Sequence, residues 1–550
     1  MVKEVKGAAM TELQKYLVSL LKEVDEICTA NHIDYYIFAG SMLGAERNEG
    51  ILPWDDDIDL IMTKQNYERF REIMKTQAPP DRTFETVGSN KEYPLQFGRY
   101  VSTETSHITR SLAFGHHDAG IWIDIMYAVP MPKSERKIHK IRKWFSCYCE
   151  LENEIYVEYK NRYPGFFWRY RLGKLLISLF GKERVIRHLK KNFDYYPEEE
   201  CDSYLLYHAL NTDFKTFDKK FFGKPVRRKF GGIEVNVSPY NREFCREGYG
   251  DSWMMVPEKK EQETHTVILD FEIPYKKYYE DYIPLLNEET VLADIKSVKV
   301  KQIQSLHREK AVLKEKNKLN GILFVERFRN IIREQKIDLK KLVEAEEYEK
   351  IGELYHPYME LQFSNAYLKW NSFVPMDEDM LYPILTKLVY CDGKYYQAKK
   401  ILGLREQAGL KLQSMELQNI QKMIAYCRDL SIAIWDLQDY NSAELVLRQA
   451  SELEQSEERI CSDMELGRMQ LSLRSAADAE AYSAVKKEVF DFMQRFPLRG
   501  EGMKLLGDIE FATGNREAAL EQYEQAAERT QNGLLLLDIE KKKEECRREK

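Results

Sequence analysis

The sequence predicts an α/β domain with helical insertions, followed by an all-α domain of helical repeats. Three observations lead there. Helix-period and strand-period apolar patterns alternate over roughly the first 130 residues. Strand signals fade beyond about residue 290, and an alanine-centred pattern recurs through about the last 200 residues. At 550 residues the chain is too long for one core and suits roughly two to four domains.

Taken in order, Leu13, Leu17, Leu20, Val24 and Ile27 recur at three- and four-residue steps, so 10–30 reads as an amphipathic helix. DYYIFAG reads as a strand ending at Gly40-Ser41. A short helix (SMLGAERN), a Gly-Ile-Leu-Pro turn and a strand centred on Asp57 to Met62 follow. Thr63 is placed to cap the next helix, where Tyr67, Phe70 and Met74 share a face. GIWIDIMYAVP, from Gly120 to Pro130, alternates Ile121, Ile123 and Ile125 against Trp122, Asp124 and Met126. That pattern predicts a half-buried strand with one acid on its open face.

A basic helical insertion is expected over about 133–195. From Tyr159 to Asn192 there are ten Lys/Arg and one Glu, interleaved with Tyr163, Phe166, Phe167, Trp168 and Tyr170. This stretch has three readings: contact with an anionic membrane surface, attraction of an anionic substrate, or a solvated helical face. Turns and short strands are expected over 215–275. The boundaries then fall at 1–285 for the first domain, 286–335 for a helical linker and 336–550 for the helical domain. In that last part DGKYYQAKKIL, LQDYNSAELVL and ATGNREAALEQY each place a turn before a helix carrying Ala398, Ala443 or Ala518, and Ala484 can be fitted between them. The pattern resembles a degenerate tetratricopeptide array, with a helical bundle lacking repeats as the alternative.

A formal net charge of −7 gives no overall case for nucleic-acid binding. Of nine scattered cysteines only Cys147 and Cys149 are close, which reads as reduced thiols in a cytoplasmic protein. No secretory leader pattern and no apolar run near the ~20 residues of a membrane span is seen, so a soluble protein is expected.

The chemistry concentrates in GSMLGAERNEGILPWDDDIDLIM, Gly40 to Met62, where Asp55, Asp56, Asp57 and Asp59 fall within five residues. On a strand, residues two apart share a face, so Asp57 and Asp59 project together. Two carboxylates ~5 Å apart at an effective dielectric of ~20 repel by about 3 kcal/mol. A shared proton or a divalent cation offsets that, and Mg²⁺ takes oxygen ligands. Asp124 is the natural third carboxylate, while Asp55 and Asp56 shape the turn or support the ligands. Gly40-Ser41 at a helix start is the partner half: glycine permits close approach, and a hydroxyl with free amides binds phosphate. A lone DxD is more often a solvated turn. The signal is the ordered combination of strand, Gly-Ser, helix, turn, DxD strand and a later isolated acid.

That combination resembles the nucleotidyltransferase superfamily and, more narrowly, the LicD family. The matching stretches are AGSMLGAERNEGILPWDDDIDLIM, FGRYVSTETSHI, GIWIDIMYAVP and YGDSWMMVP, spanning about 40–260. The resemblance implies a nucleotidyltransferase-like domain that moves a phosphorylated alcohol from a CDP-linked donor to a cell-surface glycan or its lipid-linked precursor. Phosphocholine from CDP-choline onto lipopolysaccharide or teichoic acid is favoured, and ribitol phosphate or nucleotidyl transfer to a small acceptor are the alternatives. It implies Asp57, Asp59 and Asp124 as catalytic, metal-holding residues, with Mg²⁺ preferred and Mn²⁺ the alternative. Gly40 and Ser41 would hold donor phosphate. Arg99 contacts phosphate or makes a structural salt bridge, and Arg47 is a candidate of the same kind. His265 follows the last block. Trp122, Tyr127, Tyr249 and Trp253 are available for a choline-binding aromatic box. The expected location is cytoplasmic, with peripheral contact at the inner face of the membrane through 159–192. The C-terminal helices offer a surface for a protein partner or a homodimer. The non-enzyme alternative is an inactive transferase-like scaffold acting through those helices.

Overall fold

In a computed structural model the described residues are 10–86, 89, 93, 95, 97–109, 117–152, 167–192, 196–207, 216–257, 266–281 and 312–548. They form two compact units. One takes 10–250 and 266–281; the other takes 251–257 and 312–548.

In the first unit, α1 (Glu12–Ala30) starts at a capping box made by Thr11 and Gln14 and buries Leu13, Leu17, Leu20, Leu21 and Val24. The chain continues through β1 (Tyr36–Phe38), α2 (Ala39–Arg47), β2 (Asp59–Thr63) and α3 (Lys64–Gln77). Thr63 caps α3, which buries Tyr67, Phe70 and Met74 as its periodicity requires. After β3 (Arg82–Glu85), β4 (Gly98–Ser102) and β5 (Ser106–Thr109) comes the long β6 (Trp122–Met131). The helices α4 (Glu135–Glu152), α5 (Phe167–Phe180) and α6 (Lys182–Lys191) form the insertion. Strands β7 (Ser203–Tyr207), β8 (Thr216–Asp218), β9 (Val226–Phe230) and β10 (Ile233–Val237), helix α7 (Asn241–Tyr249), β11 (Thr266–Asp270) and α8 (Tyr275–Asp281) complete the unit.

Strand β6 is the spine of a mixed seven-stranded sheet ordered β1-β2-β6-β4-β3, with β7 and β8 extending from β6. It runs parallel to β2 along one edge; along the other it pairs antiparallel with β4 over its first half and with β7 over its second. All ten of its residues are buried. The expected half-buried strand is thus corrected: with partners on both edges and both α1 and α3 packed on it, β6 has no open face. Strands β9 and β10 form a separate hairpin, and β5 pairs antiparallel with the distant β11.

The second unit is all-helical among its described residues apart from the 251–257 segment. It comprises α9 (312–334), α10 (Leu339–Glu344), α11 (Tyr348–Gln362), α12 (Asn365–Lys369), α13 (Glu378–Thr386), α14 (Tyr395–Gln407), α15 (Met415–Ser431), α16 (Tyr440–Glu457), α17 (Ser462–Ser475), α18 (Ala479–Arg495), α19 (Gly500–Ala512), α20 (Arg516–Arg529) and α21 (Gly533–Arg548). From α14 onward each helix packs on the next, and α15, α17 and α19 also pack in succession. Ala398 and Ala443 are fully buried, as close helix pairing needs, whereas at the start of α20 it is Ala519, one place beyond Ala518, that is buried. Ala484 is exposed and Val485 is buried in its stead, so the fitted fourth position does not hold. Segment 251–257 is pinned into this unit: Trp253 is buried and its indole N–H donates to Asp436, while the Gly533 N–H donates to the Met254 carbonyl. Among the described residues no helix is long and apolar enough to cross a membrane.

Candidate active site

Strand β1 passes directly into α2, with no residue between Phe38 and Ala39. Phe38 pairs with Asp59 across the sheet, and the next residue, Ala39, has φ +48°, a left-handed conformation that an alanine adopts at a cost. Gly40 follows, and a Cβ there would lie 2.5 Å from an Asp55 carboxylate oxygen. Any other residue at 40 would force the Asp55 carboxylate to move. Ser41 is buried, and its hydroxyl accepts a 3.0 Å hydrogen bond from the Asp59 N–H. An acceptor in that bond, the hydroxyl keeps its own hydrogen to donate. The two halves of the motif are therefore tied together directly.

Strand β2 begins at Asp59 rather than near Asp57, so Asp55 to Ile58 extend the irregular stretch that follows the expected Gly50–Pro53 turn. Gln14 of α1 holds that turn by donating to the Leu52 and Asp55 carbonyls at 3.1 and 3.0 Å. Asp56 is a structural acid: its carboxylate accepts from the Thr266 N–H and hydroxyl at 2.8 and 2.6 Å. Because that hydroxyl donates to Asp56, the 2.7 Å contact with His107 Nε2 requires the imidazole to donate from Nε2.

Asp59 and Asp124 stand side by side on the parallel strands β2 and β6, and Arg99 stands opposite Asp124 on β4. Asp57 joins from the turn. One carboxylate oxygen from each of Asp57, Asp59 and Asp124 lies within 4.8 Å of the others. Asp59 and Asp124 are buried and Asp57 is partly open. Burial, then the neighbouring Asp55 and Asp124, pushes the Asp57 carboxyl up to about 8. Burial and Asp57 push Asp59 well above the usual carboxylate range. Arg99 offsets part of this: its Nε donates to Asp124 at 2.7 Å while its guanidinium lies 4.0 Å over the Trp122 ring, which stacks in turn on His107. Three carboxylates against one guanidinium leave two formal negative charges. An all-oxygen donor set with that charge fits a hard divalent cation.

Arg47 ends α2 buried, 5% exposed, and forms no hydrogen bond or ion pair among the described residues. Desolvation lowers its pKa to about 10. Tyr249 is 47% exposed as a residue, yet local burial, then Asp59, Cys245 and Asp55, push its hydroxyl up, and Arg47 opposes them. Helix α7 delivers Tyr249 because Asn241 and Arg242 both hold Glu46 of α2, each at 2.9 Å.

Comparison with known proteins now bears on this geometry. Residues 32–135 match the family model described as LicD/FKTN/FKRP, nucleotidyltransferase domain. This chain carries a LicD-family domain. Gly40, Ser41, Arg47, Asp57, Asp59, Arg99 and Asp124 all fall inside it. The lipopolysaccharide cholinephosphotransferase LicD of Haemophilus influenzae is 22% identical over 266 residues, covering 48% of this chain and 98% of that protein. An uncharacterised protein of Rickettsia typhi is 40% identical over 58 residues, 10% of this chain and 19% of its own length. One of Rickettsia prowazekii is 38% identical over 58 residues, 10% of this chain and 22% of its own length.

Within and around the LicD-family domain the structure brings together Asp57, Asp59, Asp124, Arg99, Gly40 and Ser41. Of the aromatic candidates, Trp122 is committed to Arg99 and His107, Tyr127 is buried against Tyr67, and Trp253 belongs to the helical unit. Tyr249 interacts electrostatically with Asp59 and Asp55, while Trp122 reaches Asp124 through Arg99. His265 lies outside the described residues. Gln14, His107 and Thr266 were not foreseen. His107 stood in the FGRYVSTETSHI block, but no local spacing points Gln14 or Thr266 at a turn 38 or 210 residues away.

Proposed function

We propose that the LicD-family domain transfers a phosphorylated alcohol, phosphocholine first among them, from a CDP-linked donor to a hydroxyl of a cell-surface glycan or its lipid-linked precursor. The observation that carries this reading is the convergence of Asp57, Asp59 and Asp124 beside the Gly40-Ser41 turn. The character of the Haemophilus relative, a lipopolysaccharide cholinephosphotransferase, supports the choice of substrate class.

Asp57, Asp59 and Asp124 would hold Mg²⁺ or Mn²⁺. Such an ion supplies charge neutralisation to a diphosphate and aligns attacking and leaving oxygens. Arg99 donates to both Asp124 oxygens, from Nε to Oδ1 at 2.7 Å and from a terminal nitrogen to Oδ2 at 3.5 Å, and so sets the direction of that carboxylate. Arg47 brings an unpaired, desolvated guanidinium, whose planar N–H fork matches a phosphate. The Ser41 hydroxyl and the amides at the start of α2 add donors for the same anion. The acceptor hydroxyl bonds to phosphorus as the bond to the CMP oxygen breaks, and its proton passes to a carboxylate. Asp124, the acid that Arg99 orients within the cluster, would help to take that proton.

The test is to incubate the protein with Mg²⁺ and CDP-choline, CDP-ribitol, CDP-glycerol or CDP-ethanolamine, and to score CMP release with and without glycan acceptors. Acceptor-stimulated CMP release from one donor is expected. Release from none, in the presence of Mg²⁺ or Mn²⁺, removes the reading and favours a scaffold acting through the helical unit.

A further inference from the structure

The three helices of the insertion pack on one another through Ile138 and Ile141 of α4 and Ile186 and Leu189 of α6. Helix α5 does not follow that rule. Leu172, Leu175, Leu176, Leu179 and Phe180 stand at steps of three, one, three and one, which places them on one helical face. Leu172, Leu175, Leu179 and Phe180 are 56%, 55%, 64% and 55% exposed. Five large apolar side chains in one stripe go beyond the single surface leucines common on soluble domains.

The surroundings of that stripe are cationic. Residues 167–192 contain eight Lys/Arg and one acid, Glu183. On α6, Arg184, Arg187 and Lys191 are exposed while Ile186 and Leu189 face inward. On α4, Arg136, Lys137, Lys140 and Lys143 are exposed while Ile138 and Ile141 are buried. None of these seven cations makes an ion pair among the described residues.

We infer that α5, flanked by the cations of α4 and α6, is a docking surface for an anionic lipid bilayer. The charge pattern selects this occupant: an apolar stripe bordered by cations complements a surface of anionic headgroups over hydrocarbon. Length selects the mode. At 14 residues α5 is about 21 Å long, shorter than the ~30 Å of a hydrocarbon core, so it lies along the interface and does not span it. The stripe enters the acyl boundary, and the flanking arginines and lysines stay at headgroup level. The inference stands on exposure and charge, independently of the transferase reading.

Co-sedimentation of the full chain with vesicles tests it. Vesicles of equimolar phosphatidylglycerol and phosphatidylcholine are expected to carry the protein down at low salt, and pure phosphatidylcholine vesicles much less. Raising the salt to about 0.5 M weakens the binding, because exposed charges are then screened within a few ångström. Leu175→Ser with Leu179→Ser is expected to lower binding ~10-fold or more, and Arg184→Glu with Arg187→Glu likewise. Both pairs are exposed, so circular dichroism should be unchanged. No binding to anionic vesicles at low salt overturns the inference, as does full binding by the Leu175→Ser, Leu179→Ser protein. A shift from oligomer to monomer in that variant, without vesicle binding by the parent, reassigns the stripe to self-association and also overturns it.

Discussion

Arg499 in the helical unit and Asp59 in the LicD-family domain are both buried charged side chains, and their surroundings differ in kind. Arg499 bonds Asp463 at 2.6 Å and Glu501 at 3.1 Å, and these anions hold its charge. Nearby, Lys504 sits between Asp508 and Asp538 at 2.6 and 2.8 Å. Asp59 instead faces Asp57 and Asp124, and among the described residues it is Arg99 that partly compensates them. The first arrangement is complete within the protein. The second is electrostatically incomplete, and a buried imbalance of that sort marks a binding site more often than a structural brace. Breaking each arrangement should therefore have opposite consequences.

The largest effect is expected from Asp57→Asn or Asp59→Asn. Transfer should fall by about three orders of magnitude, since cation and phosphate charge stabilisation contribute several kcal/mol. The melting temperature in EDTA should rise at the same time, because a repelling carboxylate has gone. A variant that lost both activity and stability would put these acids in the same class as the Arg499 network. Arg499→Ala should do the reverse, destabilising the helical unit by about 3–5 kcal/mol in urea titration by stranding Asp463 and Glu501.

Arg47→Met sharpens the contrast. With no protein partner to strand, it should leave the urea midpoint nearly unchanged while raising the KM for donor by ~10–100-fold, the worth of a charged hydrogen bond to phosphate. The pH dependence follows from Asp57, whose carboxyl rises from 3.8 to about 8 on folding. Between those values the unfolded chain is ionised and the folded protein holds the proton. Without cation, stability should thus decline as pH rises through that window. Added Mg²⁺ should raise the melting temperature more at pH 8 than at pH 6, because a ligand must shed its proton to bind. Smallest is Ala39→Gly. Relief of the left-handed alanine should add about 1 kcal/mol in urea titration and leave donor affinity unchanged.

Much of this was legible because the relevant signals are local. The Leu13–Val24 stripe, the Thr63 cap and the order of strand, Gly-Ser, helix and acidic strand are set by neighbours within a few residues. The errors fall where tertiary pairing decides. Trp122, Asp124 and Met126 looked solvent-facing because their alternation matches a one-sided strand, yet β6 is hydrogen-bonded on both edges, and Asp124 is covered by its ion pair with Arg99. From sequence Arg99 reads as a phosphate contact or a salt-bridge residue, and the β4–β6 register that pairs it with Asp124 depends on residues 25 positions apart. Ala518 and Ala484 share composition with Ala398 and Ala443, but helical phase, not identity, sets which side is buried.

The excursion of residues 251–257 into the helical unit bears on the chain's synthesis. The indole of Trp253 waits for a partner 183 residues further on, which at ribosomal speeds is a delay of roughly ten to forty seconds. The Met254 carbonyl waits longer still, for Gly533. The stretch after this segment includes Thr266, which anchors Asp56 next to the acidic cluster. The first unit is thus interrupted by a passage whose partners are the last to be synthesised. A polypeptide stopped after residue 308 would hold every acid of the cluster and still leave Trp253 with nothing to bury it.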